Sequence, residues 1–444
     1  MINKSMTNLK EKPYYITALE LSELNGELPS NLRADENLVY SSEATLSYNS
    51  PGAQGFGVKR AGLAIPESVM LLLSPACCGR NTTILADGGG YSDKIFFMQV
   101  DENDLVTGRY LDDIPKAVKE IANTCRKRGK DPKVIVICTT CVDALLGTDV
   151  ERLCRKAEEE ANIKVIPTYM YALMREGNNP PMVSVRESVY SLLEKRSRDE
   201  SAVNLMGFFS DVDDNSEIYD LLYQIGMKKI RQISRCKTYS EYMELGEANF
   251  NLVLNPEARR AADMLYRKLE IPMIELTRLY QIDRIKKQYL LMGAALGVEF
   301  DDERYYIETA SAIERMLKYA RDKKFAIGQV INGNPLELAL SLSKYGLDVR
   351  SVFTTFTNLD MHYINELKDI NPDIRIYSPL SPSMINYDIE NGKSNVDISI
   401  GRDASFYYPE SINVEWSDEI QPFGYRGLFK LMNRITEAVR FAGE

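Results

Sequence analysis

Apolar positions along this chain follow two alternating patterns. Short continuous runs of aliphatic and β-branched residues are followed by longer stretches in which apolar residues return every three or four positions. The first pattern marks strands buried on both faces; the second marks amphipathic helices. Residues 133–138 (KVIVIC) predict a strand that feeds a helix over 142–161, and 65–73, 94–100 and 164–167 predict its neighbours. The alternation then restarts twice. Strands are expected at 202–208, 229–233, 250–254 and 271–276, with helices at 215–225 and 256–269. After helices over most of 281–321 come strands at 324–330, 348–353, 374–377 and 396–400, helices at 335–345 and 361–368, and a last helix at about 427–441. Strands alternating with helices imply an α/β fold of mainly parallel sheets flanked by helices. The 444 residues suit about three domains. The expected division is a polar N-terminal arm over 1–45, a first α/β domain over 46–195, a second over 196–300 and a third, with the C-terminal helix, over 301–444.

Composition narrows the function classes. Charged residues make up 27% and hydrophobic residues 44%, which excludes collagen-like, coiled-coil and wholly disordered chains. The net charge of −10 and the lack of an extended basic patch argue against a nucleic-acid partner. The only histidine, His362, rules out multi-histidine metal sites within one chain. No stretch approaches the roughly 20 apolar residues that span a bilayer, and the first residues lack a signal-peptide core. A cytoplasmic protein with reduced cysteines and no membrane partner is expected.

Four of the seven cysteines fall in two groups, Cys138-Thr-Thr-Cys141 and the adjacent pair Cys77-Cys78. Each stands where an apolar strand ends and a helix or turn begins, the edge at which open α/β sheets bind ligands. Helix N-termini also stabilise thiolates. Core packing, a redox dithiol, structural zinc and an iron–sulfur cluster are all compatible with the CxxC, and we favour the cluster, which thiolates hold. Cys125, Cys154 and Cys236 read as packing or stray thiols, and His362 as a residue in the first turn of a helix. Gly88-Gly89-Gly90 is a turn without a phosphate-loop lysine. Ile331-Asn332-Gly333-Asn334-Pro335 is a strand-to-helix turn of a kind that can receive an anion.

With these groups in place the chain resembles the nitrogenase component 1 family. Pro75-Ala76-Cys77-Cys78-Gly79 is similar to that family's Gly-Pro-x-Gly-Cys-Gly segment, and Glu102–Gly108 to its E-x-D-x-V-x-G segment. Thr140–Val150 resembles its cysteine-rooted loop, 250–276 its second-domain unit, and Gly424-Tyr425-Arg426-Gly427 its C-terminal Gly-Tyr-x-Gly. The resemblance covers roughly 45–440 and implies three Rossmann-like domains, pairing as homodimers or heterodimers, and an iron–sulfur cluster at the subunit interface. It also implies an ATP-dependent iron–sulfur reductase as electron donor and a small-molecule substrate.

Cys78 and Cys141 match two of the family's cluster cysteines. A third is missing: the loop ahead reads Asn49-Ser50-Pro51-Gly52-Ala53, with Ser50 the nearest oxygen donor, whereas Cys77 and Cys138 are additional. Two cysteines per chain would give four at a two-fold axis, enough for a shared [4Fe–4S] cluster; four per chain would give eight, enough for a larger one. Asn255 and Phe423 stand where nitrogenase holds its active-site cofactor, so dinitrogen reduction is not expected. The resulting expectation is a reductase component that passes low-potential electrons through its cluster to a substrate. The alternative is a non-catalytic scaffold or maturation protein for a cluster or metallocofactor. Asp143 and Asp149 flank the cysteine loop as helix N-terminal charges.

Overall fold

A computed structural model describes residues 14–24, 59–140, 146–170, 180–379 and 396–442, with positions 27, 29, 381, 384 and 387. They build three mainly parallel sheets, each with helices on both faces.

The first sheet carries β2 (Ser68–Ser74), β3 (Ile95–Gln99), β4 (Val134–Thr139) and β5 (Lys164–Tyr169) in the order β3-β2-β4-β5, all parallel. Every residue of β2 and β4 is buried, as their continuous apolar runs require. The helices between are α2 (Ala76–Gly88), α3 (Glu102–Thr107), α4 (Arg109–Lys127) and α5 (Val150–Ala161), and α6 (Pro181–Tyr190) follows β5. Before β2, residues 59–62 form a helical turn. The helix expected over 142–161 has its N-cap at Asp149, because Gly147 takes a left-handed φ of 67° and the Asp149 side chain accepts from the Arg152 amide at 2.9 Å. The rest of that expectation, with Cys141 and Asp143, lies outside the described residues, as does Ser50.

The second sheet has β6 (Asp199–Met206), β7 (Lys229–Arg231), β8 (Ala248–Val253) and β9 (Met273–Glu275) in the order β7-β6-β8-β9, with α7 (Glu217–Gln224), α8 (Tyr239–Met243) and α9 (Arg259–Leu269) as connections. Then α10 (Ile282–Leu296) and α11 (Glu303–Ala320) lead to the third sheet.

That sheet contains β10 (Lys324–Ile327), β11 (Asp348–Phe353), β12 (Arg375–Tyr377), β13 (Ile398–Ile400) and β14 (Ile412–Val414), with α12 (Pro335–Lys344), α13 (Met361–Ile370), α14 (Ala404–Tyr407) and α15 (Gly424–Phe441). β1 (Ile16–Thr17), just before α1 (Ala18–Glu23), adds an antiparallel strand on the outer edge of β12. β10 stops at Ile327, short of the expected 330. The carboxylate of Asp403 accepts the Gln329 and Val330 amides at 2.7 and 2.9 Å, so these no longer pair with a neighbouring strand.

α15 begins at Gly424, ahead of the expected 427, over the buried Glu217. The Glu217 carboxylate accepts from the Tyr425 and Arg426 amides and from the Tyr289 hydroxyl at 2.5, 3.0 and 2.6 Å. These bonds tie the second sheet's α7 and helix α10 to the C-terminal helix, and the resulting core is continuous from the second sheet to the third.

Candidate functional site

The carboxyl end of the first sheet carries the thiols. β2 ends at Ser74, Pro75 forms the N-cap, and α2 starts at Ala76, so the first turn holds Cys77 and Cys78 with its amides facing outward from the helix. Cys77 is exposed and Cys78 half-buried; their sulfurs are 3.9 Å apart and unbridged. Gly79 lets this turn sit against β3: a Cβ there would meet the Phe97 ring at 2.1 Å.

Beneath the turn lies a buried lysine. Lys59 is 2% exposed and donates to the Thr82 hydroxyl at 2.5 Å, and Thr82 donates to the Cys78 carbonyl at 2.8 Å. Burial pushes the Lys59 ammonium down, while the Cys138 and Cys78 sulfurs favour its charge. Cys138 itself is a fully buried member of β4, between Leu72 and Thr168 of the adjoining strands. The structure therefore brings Cys77 and Cys78 together at an accessible turn and sets Cys138 inward, in the core. Cys141 follows β4 by two positions, outside the described residues.

The residues present suit a thiolate-held iron group in their chemistry. Two soft donors stand at a helix N-terminus. The buried hydroxyls of Ser74, Thr140 and Thr168, at the same ends of β2, β4 and β5, have no hydrogen-bond partner among the described residues. Such hydroxyls can serve the sulfurs of a bound cluster. Among the described residues no three metal-binding side chains converge.

A second feature lies where the three sheets meet. A cavity of about 2020 Å³ is lined from the first sheet's side by Arg60 and Tyr91, from the second's by Arg186, Phe208 and Asn255, and from the third's by Asn332 and Thr355. Asn255 already accepts from the Glu257 amide at 3.0 Å. Phe423 is 1% exposed, packed in the core rather than on the cavity wall. The pair of positions that would anchor a nitrogenase-type cofactor thus offers no thiol and no imidazole, and these residues do not fit that group.

Cys236 and His362 also line the cavity, a placement no sequence pattern signalled. The Cys236 thiol lies 3.4 Å from the Gln232 carbonyl, and burial pushes it up to about 11. His362 Nδ1 is 2.8 Å from the Leu359 carbonyl, which only accepts, so Nδ1 carries the proton. Cys125 and Cys154 are buried in α4 and α5, and burial pushes Cys154 up to about 12, as packing thiols should behave.

Three mainly parallel α/β sheets, with a thiol turn at the edge of the first and a cavity at their junction, define a multidomain α/β class of protein. Residues 53–440 match the nitrogenase component 1 type oxidoreductase family, and the chain belongs to it. It is similar to the nitrogenase iron-molybdenum cofactor biosynthesis protein NifE of Clostridium pasteurianum, 26% identical over 44% of this chain and 43% of that protein. The NifE of Rhizobium meliloti (strain 1021) is 21% identical over 85% of this chain and 83% of its own length. The first curated relatives are thus matched over about half their length, 43% and 54%. The solved structure "Nitrogenase Cp1 at pH 6.5" superposes with a TM-score of 0.68 at 18% identity, covering 88% of this chain and 92% of that one, which establishes the shared fold. The family and the α/β fold expected from sequence are both borne out. Among the described residues no helix is long and apolar enough to cross a membrane.

Proposed function

We propose that this chain is a scaffold subunit that carries an iron–sulfur cluster or metallocofactor in transit. The carrying observation is the accessible Cys77–Cys78 turn at the N-terminus of α2, open to a partner surface. The biosynthetic relatives support the scaffold reading over the reductase expected from sequence. Cys78 and Cys141 hold the cluster, and two copies, or one copy and a related subunit, share it across a two-fold axis. Cys77 is the reserve ligand of a larger cluster; Cys138, set inward in β4, is not. When bound, the cluster supplies iron, sulfide and one-electron chemistry. Lys59 keeps a cation beneath the thiols, Gly79 seats the turn, and an ATP-dependent iron–sulfur reductase is the electron donor. The protein works in the cytoplasm.

The test is iron, acid-labile sulfide and zinc on anaerobically purified protein, with a native mass. About four iron per dimer is expected, falling to none when Cys78→Ser and Cys141→Ser are combined, and the cargo should pass to an apo-acceptor without turnover. Zinc in place of iron, or an iron-loaded dimer that survives both serines, overturns the reading. The large cavity favours the reductase as the second reading. Sustained ATP-dependent oxidation of a donor with the iron retained would install it.

A further inference from the structure

The two thiols at the head of α2 stand in an uncommon relation. Neighbouring positions on a helix do not face each other, yet the Cys77 and Cys78 sulfurs are 3.9 Å apart and unbridged. Cys77 is exposed, as are Ala76 before it and Arg80 and Asn81 on the next turn. Cys78 is half-buried just behind it. Cys125, Cys138 and Cys154 are buried, and the half-buried Cys236 lies 3.4 Å from the Gln232 carbonyl. Among these thiols, an oxidant arriving from solvent meets Cys77 first, and the Cys78 thiol stands beside it.

A disulfide between adjacent residues closes a small ring through one peptide bond. Consecutive Cα atoms are about 3.8 Å apart, inside the roughly 4.4–6.8 Å of ordinary disulfides, so such a ring stores strain and is readily reduced. The first turn of α2 can yield to that strain. Pro75 gives it no side-chain cap, and the Gly79 amide reaches the Pro75 carbonyl at 3.2 Å, the long end of the ordinary range. With a peroxide as oxidant the chemistry balances. The Cys77 sulfur attacks the peroxide, which leaves a sulfenic acid on Cys77 and releases one water. The Cys78 sulfur then attacks the Cys77 sulfur, the S–O bond breaks, and a second water leaves. The two thiols lose two electrons in all, and the peroxide gains them. A solitary thiol in that position passes on instead to the sulfinic acid, which thiol reductants do not reverse.

We propose that Cys77 and Cys78 close into a reversible vicinal disulfide that guards the empty thiol turn against peroxide. This deepens the scaffold reading by adding the regulation of the same site, and it rests on that reading only for the guard's use. A turn that has given up its cluster bares Cys78, and the ring withholds both sulfurs until a reductant reopens it.

The test is peptide mapping of the full chain, purified anaerobically, freed of iron by a chelator and treated with excess hydrogen peroxide. Trypsin releases residues 61–80 with Cys77 and Cys78 as their only cysteines, and residues 134–152 with Cys138 and Cys141. In the native protein the 61–80 peptide should lose two hydrogens, and dithiothreitol should return both thiols to alkylation. In Cys77→Ser, Cys78 should gain oxygens instead and stay closed to alkylation after dithiothreitol. Cys77→Ala, read in the same way, keeps the test open if the serine variant does not fold. Cys236→Ser should match the native protein. Full recovery of Cys78 in the Cys77 variants, a 61–80 peptide joined to 134–152, or irreversible oxygen gain on the native 61–80 cysteines overturns the proposal. Iron reconstitution of the same samples reads the guard. Oxidised native protein should lose its iron loading and regain it after dithiothreitol, whereas loading undiminished by the closed ring overturns the guard. Iron content before chelation separates the two readings. A reversible ring in protein that never holds iron sinks the scaffold and keeps the disulfide; iron without a ring does the reverse.

Discussion

The thiol turn of the first sheet and the junction cavity are both built at the carboxyl ends of parallel strands, yet their chemistry is opposite. The turn offers soft, polarizable sulfur at an accessible helix start, with one buried ammonium beneath it. The cavity offers hard N–H donors, and among the described residues four of its five acids are paired with cations. Parallel strands deliver loops to one edge and leave the loop residues to decide what is bound there. In this chain the turn gathers thiols and the cavity gathers cations, two chemistries at two separate places.

The sharpest way to probe the difference is pH, because the cavity side stores a buried carboxyl that the turn lacks. Glu337 in α12 accepts from the Tyr280 amide and the Ser341 hydroxyl, and burial pushes it up to about 7. A carboxyl raised in the folded state binds its proton more tightly there than in the unfolded chain. Its contribution is therefore full below the ordinary value of 4.5 and is lost as pH rises through about 7. Urea denaturation at pH 5 and pH 8 should show the native protein losing up to about 3 kcal/mol more than Glu337→Gln over that interval. Parallel pH slopes would show that this carboxyl is not the source.

Gly79→Val tests the turn. The new side chain must displace the Phe97 ring, at a cost of about 2 kcal/mol. Iron retention should fall; unchanged iron content would show that the thiol turn does not depend on its close approach to β3.

Asp149→Ala removes the N-cap of α5 and should cost about 1 kcal/mol, read as a lower denaturation midpoint. Lys59→Met should have the smallest effect on the iron-free protein, below about 1 kcal/mol, since an isosteric apolar side chain replaces a buried charge. Alkylation of Cys78 near neutral pH should nevertheless slow several-fold as its thiolate loses a cation. Unchanged alkylation would remove Lys59 from the thiol site.

Much of the architecture was readable before any coordinates, because a strand buried on both faces or an amphipathic helix writes its burial into neighbouring residues. β2, β4 and α9 fall close to their patterns, and Cys77-Cys78-Gly79 falls at the strand-to-helix junction that the end of the apolar run marks. Errors gathered where a distant group intervened: Asp403 ends β10, and Glu217 lets α15 begin early. Cys138, grouped with Cys141 by spacing, belongs to the strand interior, because the strand's alternation turns its side chain into the core.

By itself, then, the amino-acid order determined three α/β units, a thiol-bearing edge and the kinship that their motifs carry, all properties of residues near one another in the chain. Only the tertiary structure decided that Arg60, Arg186, Arg278 and Arg402 face one cavity. It alone decided that Glu419, Glu257 and Glu275 pair with Arg60, Arg186 and Arg259 there. Electrostatics acts through space, and charges as far apart in the chain as Arg60 and Glu419 leave no local pattern until the sheets are packed together.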